Sequence, residues 1–217
     1  MQTDLTRLPR NKERIMMIRT AACLFAAATI SLGACAQAQP LSPPAGLDEA
    51  AVQSTREMAN ELLTQLGQKM KASLSAEGPE AAVSVCKDAS PAIAKALSAK
   101  HGAQMTRVGT RVRNPAMGTP NAWQKEALAQ FETRLSQAES PSTMEYWSVV
   151  ETGNGKRELH YAKAITVQAM CVTCHGTAAD IPAKLAEKIR AEYPQDQATG
   201  YSVGKLRGAA VISRPLP

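Results

Sequence analysis

The chain has 217 residues, 44% of them hydrophobic and only 4% aromatic, which suits one soluble domain with an aliphatic core and is tight for two packed domains. Its formal charge of +6 invites a nucleic-acid reading, but residues 1–34 hold five of the positive and two of the negative charges, which leaves +3 for the rest. The remaining Lys and Arg are scattered with no aromatic residues among them, so no nucleic-acid partner is expected.

Basic residues precede an apolar stretch from Ile18 to Ala34, the length of an export signal and too short and small-residue-rich for a membrane span. Met16 and Met17 stand directly before it and offer an alternative start. The signal ends Leu32, Gly33, Ala34, Cys35, which looks like a lipobox; cleavage at the A-x-A site Ala36, Gln37, Ala38 competes, and lipidation of Cys35 is preferred. The division is then 1–35 signal, 36–47 flexible linker rich in Gln, Pro and Ala, and 48–217 folded domain. The expected location is the periplasm, with a lipidated Cys35 as an outer-membrane anchor.

From Asp48 to about Ser75, Ala51, Met58, Leu62, Leu63, Leu66 and Met70 recur at helical spacing and predict a long amphipathic helix, broken by Gly78 and Pro79. A second helix runs from Pro79 to about Ala89, and a third, capped by Ser90 with Pro91 in its first turn, extends to about Lys100 and stops at Gly102. Gln104–Val112 reads as a strand, Arg113–Pro120 as a loop, and a fourth helix from Asn121 carries Trp123, Leu128, Phe131 and Leu135 to the core. Tyr146–Glu151 and Glu158–Ile165 flank Thr152, Gly153, Asn154, Gly155, Lys156, a hairpin signal. A helix from Ile181 to Tyr193 and a closing strand, Leu206–Ser213, complete an α+β domain of about four antiparallel strands with helices around them. P-loop, GxGxxG and GxSxG motifs are absent from the sequence.

Five cysteines stand at 23, 35, 86, 171 and 174, so three remain for the domain, an odd count for an oxidising compartment. Cys171, Val172, Thr173, Cys174, His175 is C-x-x-C-H, the attachment signature of c-type haem. Two thiols on one helical turn reach the two vinyl groups, and the adjacent imidazole turns to the iron as proximal ligand. A zinc site of Cys86, Cys171, Cys174 and one His is the first rival, although adjacent Cys174 and His175 make poor partners on one metal. A redox-active CxxC dithiol is the second, and the βαβ pattern that accompanies one is missing.

The sixth ligand has several candidates: Cys86, His101, His160, Met105, Met117, Met144 and Met170. Cys86 shares its helix face with Ala82, Val83, Ala89 and Ile93, an apolar stripe turned to the core where a haem would lie. A small buried hydrophobe would occupy the same place without binding iron, and this reading stays open beside ligation. His101 at a helix end is explained by dipole stabilisation, and the Met residues by core filling.

The run Ala82 to Pro91, then Thr106, Arg107, Val108, then Arg113, Asn114, Pro115, then the CxxCH with Gly176, and finally Gly200, Tyr201, Gly204, Leu206, Arg207, Gly208, resembles a family of single-haem c-type proteins with a PAS-like fold, long catalogued as a domain of unknown function. The resemblance spans Asp48 to Leu216. It implies an antiparallel sheet flanked by helices and a His/Cys axial pair, here His175 proximal and Cys86 distal, which would account for the odd thiol. It also makes Arg107, Arg113 and Arg207 candidates to pair with propionates, against the plainer reading of each as a solvated surface charge; Lys87 and Asp88 read as solvated face. The function expected is one-electron transfer in the periplasm with an unidentified redox partner, and the alternative is a haem-based sensor acting through a partner protein. No output domain accompanies it, and no distal acid or base set is visible, so an enzyme is not expected.

Overall fold

The computed structural model describes residues 42–153 and 155–217. The signal segment with Cys23, the lipobox with Cys35, the first part of the linker and Asn154 of the hairpin turn lie outside the described residues. No helix among those described is long and apolar enough to cross a membrane. Leu47, at the end of the expected linker, already packs against the core.

Helix α1 runs Glu49–Glu77, opened by the Asp48 carboxylate, which accepts from Ala50 N, and closed at Gly78, whose φ of 86° only glycine adopts without strain. Its Val52, Met58, Leu62 and Leu66 are buried. The separate helices expected before and after Ser90 are instead one continuous path: α2 (Pro79–Ser84), a π-helical turn (Val85–Ala89) and α3 (Ser90–His101). Ser90 has helical dihedrals and does not cap; its N–H donates to Val85 O, five residues back. Pro91 is the cause, because it has no N–H for the Lys87 carbonyl and its ring crowds that oxygen, so the helix widens by one residue.

Four strands form an antiparallel sheet in the order β1 (Gln104–Gly109), β4 (Leu206–Leu216), β3 (Arg157–Thr166), β2 (Glu145–Glu151). The hairpin β2–β3 pairs Glu145 with Lys163 through Glu151 with Arg157 and turns through Gly155 at φ 68°. β1 is shorter than expected, since the chain leaves the sheet after Gly109. A four-residue helix, α4 (Pro115–Gly118), lies within the expected loop, capped by the Asn114 side chain.

Each sheet face carries a core. On one, Met105, Ala210, Ile212, Leu159, Tyr161 and Trp147 pack with Met58 and Leu62 of α1 and Leu97 of α3. On the other, Val108, Ala162, Ala209 and Val211 meet Leu128 and Phe131 of α5 (Ala122–Ser136), which starts in a capping box between Asn121 and Gln124. Phe131 is fully buried, worth roughly 1.5–3 kcal/mol by area. Trp123 and Leu135, expected in the core, are half-buried and pack at its edge. Beyond β3 come α6 (Val172–His175) and α7 (Ala183–Glu192), and α7 packs on α2 through Val83, Leu185, Ile189 and Tyr193.

A bulge interrupts the β3–β4 ladder: Ile165 faces Gly208 and Thr166 faces Leu206, so Arg207 is the extra residue and drops out of the alternation. Gly208 is required beside it, because a Cβ there would meet Val108 O at 1.9 Å.

Candidate functional site

Cys171, Cys174 and His175 lie on one tight turn, where a 3-10 turn (Ala169–Cys171) leads directly into α6. The turn stops at Gly176, where a Cβ would press on Val172 O at 2.5 Å and on the Asp180 carboxylate at 2.7 Å. Cys174 joins the apolar cluster of Val83 and α7, and Cys171 that of Val167, Ala198 and Tyr201. Neither pairs with another thiol: Cys86, Cys171 and Cys174 form no disulfide.

His175 is held from below. Its Nδ1–H donates to Ala198 O at 2.6 Å, which fixes the tautomer and leaves Nε2 with its lone pair for a ligand. Its carbonyl accepts from Tyr201 N at 2.9 Å, and Tyr201 meets the imidazole edge-on with ring centroids 6.3 Å apart. Burial, then the charges of Arg207 and Arg113, push the imidazole pKa down to about 2, so the ring is neutral and able to bind a metal.

Cys86 lies in the π turn and is half-buried. Its thiol is pushed up by burial, while Arg107, Arg113 and Arg207 pull the other way, and it interacts electrostatically with Cys171 and Cys174. The same three guanidiniums act on His175. Cys86, His175, Arg107 and Arg207 are each half-buried.

The arginines divide into two kinds. Arg113 is buried and committed: its Nε reaches Asp196 Oδ2 at 3.1 Å and its Nη2 donates to Cys174 O at 2.5 Å. Arg107 donates to Ser90 Oγ, and Arg207 donates to Arg111 O at 3.0 Å with its guanidinium 5.4 Å from the Tyr201 ring centre. Neither has a carboxylate partner among the described residues, and burial lowers the pKa of both. None of the three is the solvated surface charge that sequence alone would make it. Lys87 likewise is not merely solvated, since it pairs with Glu192 and ties the π turn to α7.

The other candidate ligands are elsewhere. His101 pairs with Glu61 at 2.7 Å, and His160 lies beside Glu158 and meets Trp123 edge-on. Met105 and Met144 are buried in the two cores, and Met117 and Met170 are exposed. Among the described residues no three His, Cys, Asp or Glu side chains are placed to hold a metal ion together, so the zinc set is not assembled.

A family model described as Tll0287-like matches residues 46–215. The chain belongs to the Tll0287-like family. Membership covers the folded domain, with both halves of the site, Cys86 and the CxxCH, inside the matched span. One similar solved structure is the crystal structure of the cyanobacterial haem-protein Tll0287, 24% identical, covering 79% of this chain and 98% of that one with a TM-score of 0.55. At that identity the likeness is one of fold. No curated protein matches the chain.

Asp196 and the Ala198 carbonyl are site residues that the sequence reading missed. Asp196 Oδ1 accepts from Ala198 N at 2.8 Å, the i to i+2 turn that Asp makes with its own backbone, and that propensity was the one local signal available.

Proposed function

We propose that this is an exported c-type haem protein whose single haem is attached through Cys171 and Cys174, with His175 as proximal ligand and Cys86 as distal ligand. The observation that carries the reading is the presentation of His175: a neutral imidazole tied at Nδ1 to Ala198, on the same turn as two thiols. The donor set fits the group, because two half-buried guanidiniums without a carboxylate ion pair among the described residues, Arg107 and Arg207, would supply the counter-charges that two propionates need. A related protein described as a haem-protein and the shared fold add support. When bound, the haem iron exchanges one electron.

This chain's residues do the rest. Cys171 and Cys174 would anchor the group, His175 would donate from Nε2, Arg107 and Arg207 would hold negative charge, and the apolar cluster of Val83, Leu185, Ile189 and Tyr193 packs against Cys174. His175 and Cys86 would hold the iron from the protein, which would leave it no room for a substrate, so electron transfer to a partner protein in the periplasm is preferred to catalysis. A Cys86 thiolate on the iron would hold the potential low by stabilising the ferric state.

Expression in a host that attaches haem to CxxCH sequences tests the attachment. Intact-mass spectrometry is expected to find one haem on the denatured protein, still bound in Cys171→Ser or Cys174→Ser and lost in the double variant. Haem that washes off the denatured wild type would reject covalent binding.

A further inference from the structure

We propose that Arg113 and Asp196 are positioning residues for His175: a buried ion pair that sets the Ala198 carbonyl, and through it how strongly the imidazole donates. The segment 194–201 that clasps the CxxCH turn has no regular secondary structure, so its carbonyls need another support. Besides the bonds from Gly200 N to Gly176 O and from Tyr201 N to His175 O, four bonds support it around Ala198. Asp196 Oδ1 accepts from Ala198 N at 2.8 Å, Gln197 N donates to Val112 O at 2.9 Å, Arg111 Nη1 donates to Thr199 O at 2.5 Å, and Arg113 Nε reaches Asp196 Oδ2 at 3.1 Å. Arg113 Nη2 also braces the CxxCH turn itself at Cys174 O and approaches Ala198 O at 3.5 Å.

Arg113 thus touches both the turn that carries His175 and the carbonyl that receives its Nδ1–H. The Arg113 and Asp196 side chains are 8% and 7% exposed, so their charges act at short range in a medium of low polarity. The Asp196 carboxylate opposes the Arg113 charge. Without it, the guanidinium would draw more strongly on Ala198 O and compete with His175 for the same lone pairs. A weaker Nδ1–H bond makes the imidazole a poorer donor to a bound metal.

The redox readout rests on the haem reading above; the ring readout does not. The isosteric Asp196→Asn variant keeps an acceptor for Ala198 N and removes the charge, while Arg113→Lys keeps both charges and loses the fork. The second variant leaves no buried charge unpaired and so preserves the fold. In the full chain, the His175 ring is followed by nitrogen NMR and the midpoint potential by redox titration. In Asp196→Asn the His175 Nδ1 signal is expected to shift toward a weaker hydrogen bond and the potential to rise, and in Arg113→Lys the signal is expected to leave its wild-type position as the contacts at Cys174 O and Ala198 O are lost. A wild-type ring signal and potential in both folded variants would overturn the proposal. A wild-type chain that carries no haem would reject the haem reading alone, and the ring signal would still decide the role of the pair.

Discussion

Glu145, the first residue of β2, accepts from Arg56 Nε at 3.0 Å and Nη2 at 2.9 Å, from Tyr161 Oη at 2.9 Å and from Trp147 Nε1 at 3.3 Å. Burial works to raise its pKa, but the bonds from Arg56 and Tyr161 outweigh it and hold the carboxyl below its ordinary 4.5. A lowered folded pKa has a fixed sign. The stability it contributes is complete above the unfolded value, near pH ~4.5, and is lost as pH falls through the folded value. The Glu145→Gln variant is therefore expected to lose about 1–3 kcal/mol at neutral pH, where it removes charge-assisted hydrogen bonds. The gap from wild type is expected to close at a second, acid pH, below the lowered folded value. Urea unfolding of both proteins at the two pH values checks it, and a gap that stays constant would exclude the linkage. His175 illustrates the opposite limit of legibility: its proposed ligand role is written in five contiguous residues, whereas the carbonyl that orients it stands at Ala198, in a loop without periodicity.

The π turn is the element on which Cys86 depends. One inserted residue changes the rotation between the two flanking helices by ~100°, so it sets where Cys86 points relative to Arg107, which is bonded to Ser90 just beyond it. In Pro91→Ala the helix regains an N–H for Lys87 O, and the turn is expected to relax to α geometry without loss of stability. Cys86 then rotates away from the site. Any spectral feature that depends on Cys86 is expected to vanish from a protein that melts no earlier than wild type, and an unchanged feature would show that the turn does not position the thiol. The sequence marks Pro91 as a helix start, and that reading fails because Pro at a first turn and Pro within a widened turn look alike locally. Helices with long apolar stripes, α1 and α5, and the hairpin with its Gly155 turn were legible because their signals are local. The placing of β4 between β1 and β3, and the bulge that frees Arg207, were not, because antiparallel partners far apart in sequence leave no mark on either strand.

At the scale of the molecule, the site is an assembly of distant pieces: Cys86 on the helical path before β1, Arg107 on β1, Arg113 after it, the CxxCH turn after β3, and Arg207 on β4. The sheet order brings the two arginine-bearing strands side by side, with Gly109 opposite Gly208. Only the CxxCH turn is recognisable alone, which is why Cys171, Cys174 and His175 stood out in the sequence as the proposed attachment and ligand residues, and the proposed pairing of Cys86 with His175 rested on a resemblance. The most direct test of the proposed centre is the ferric absorption and electron paramagnetic resonance spectrum of the wild type beside Cys86→Ala. The expected result is a low-spin thiolate signal in the wild type that disappears in the variant. Identical spectra from the two proteins would contradict ligation of the iron by Cys86.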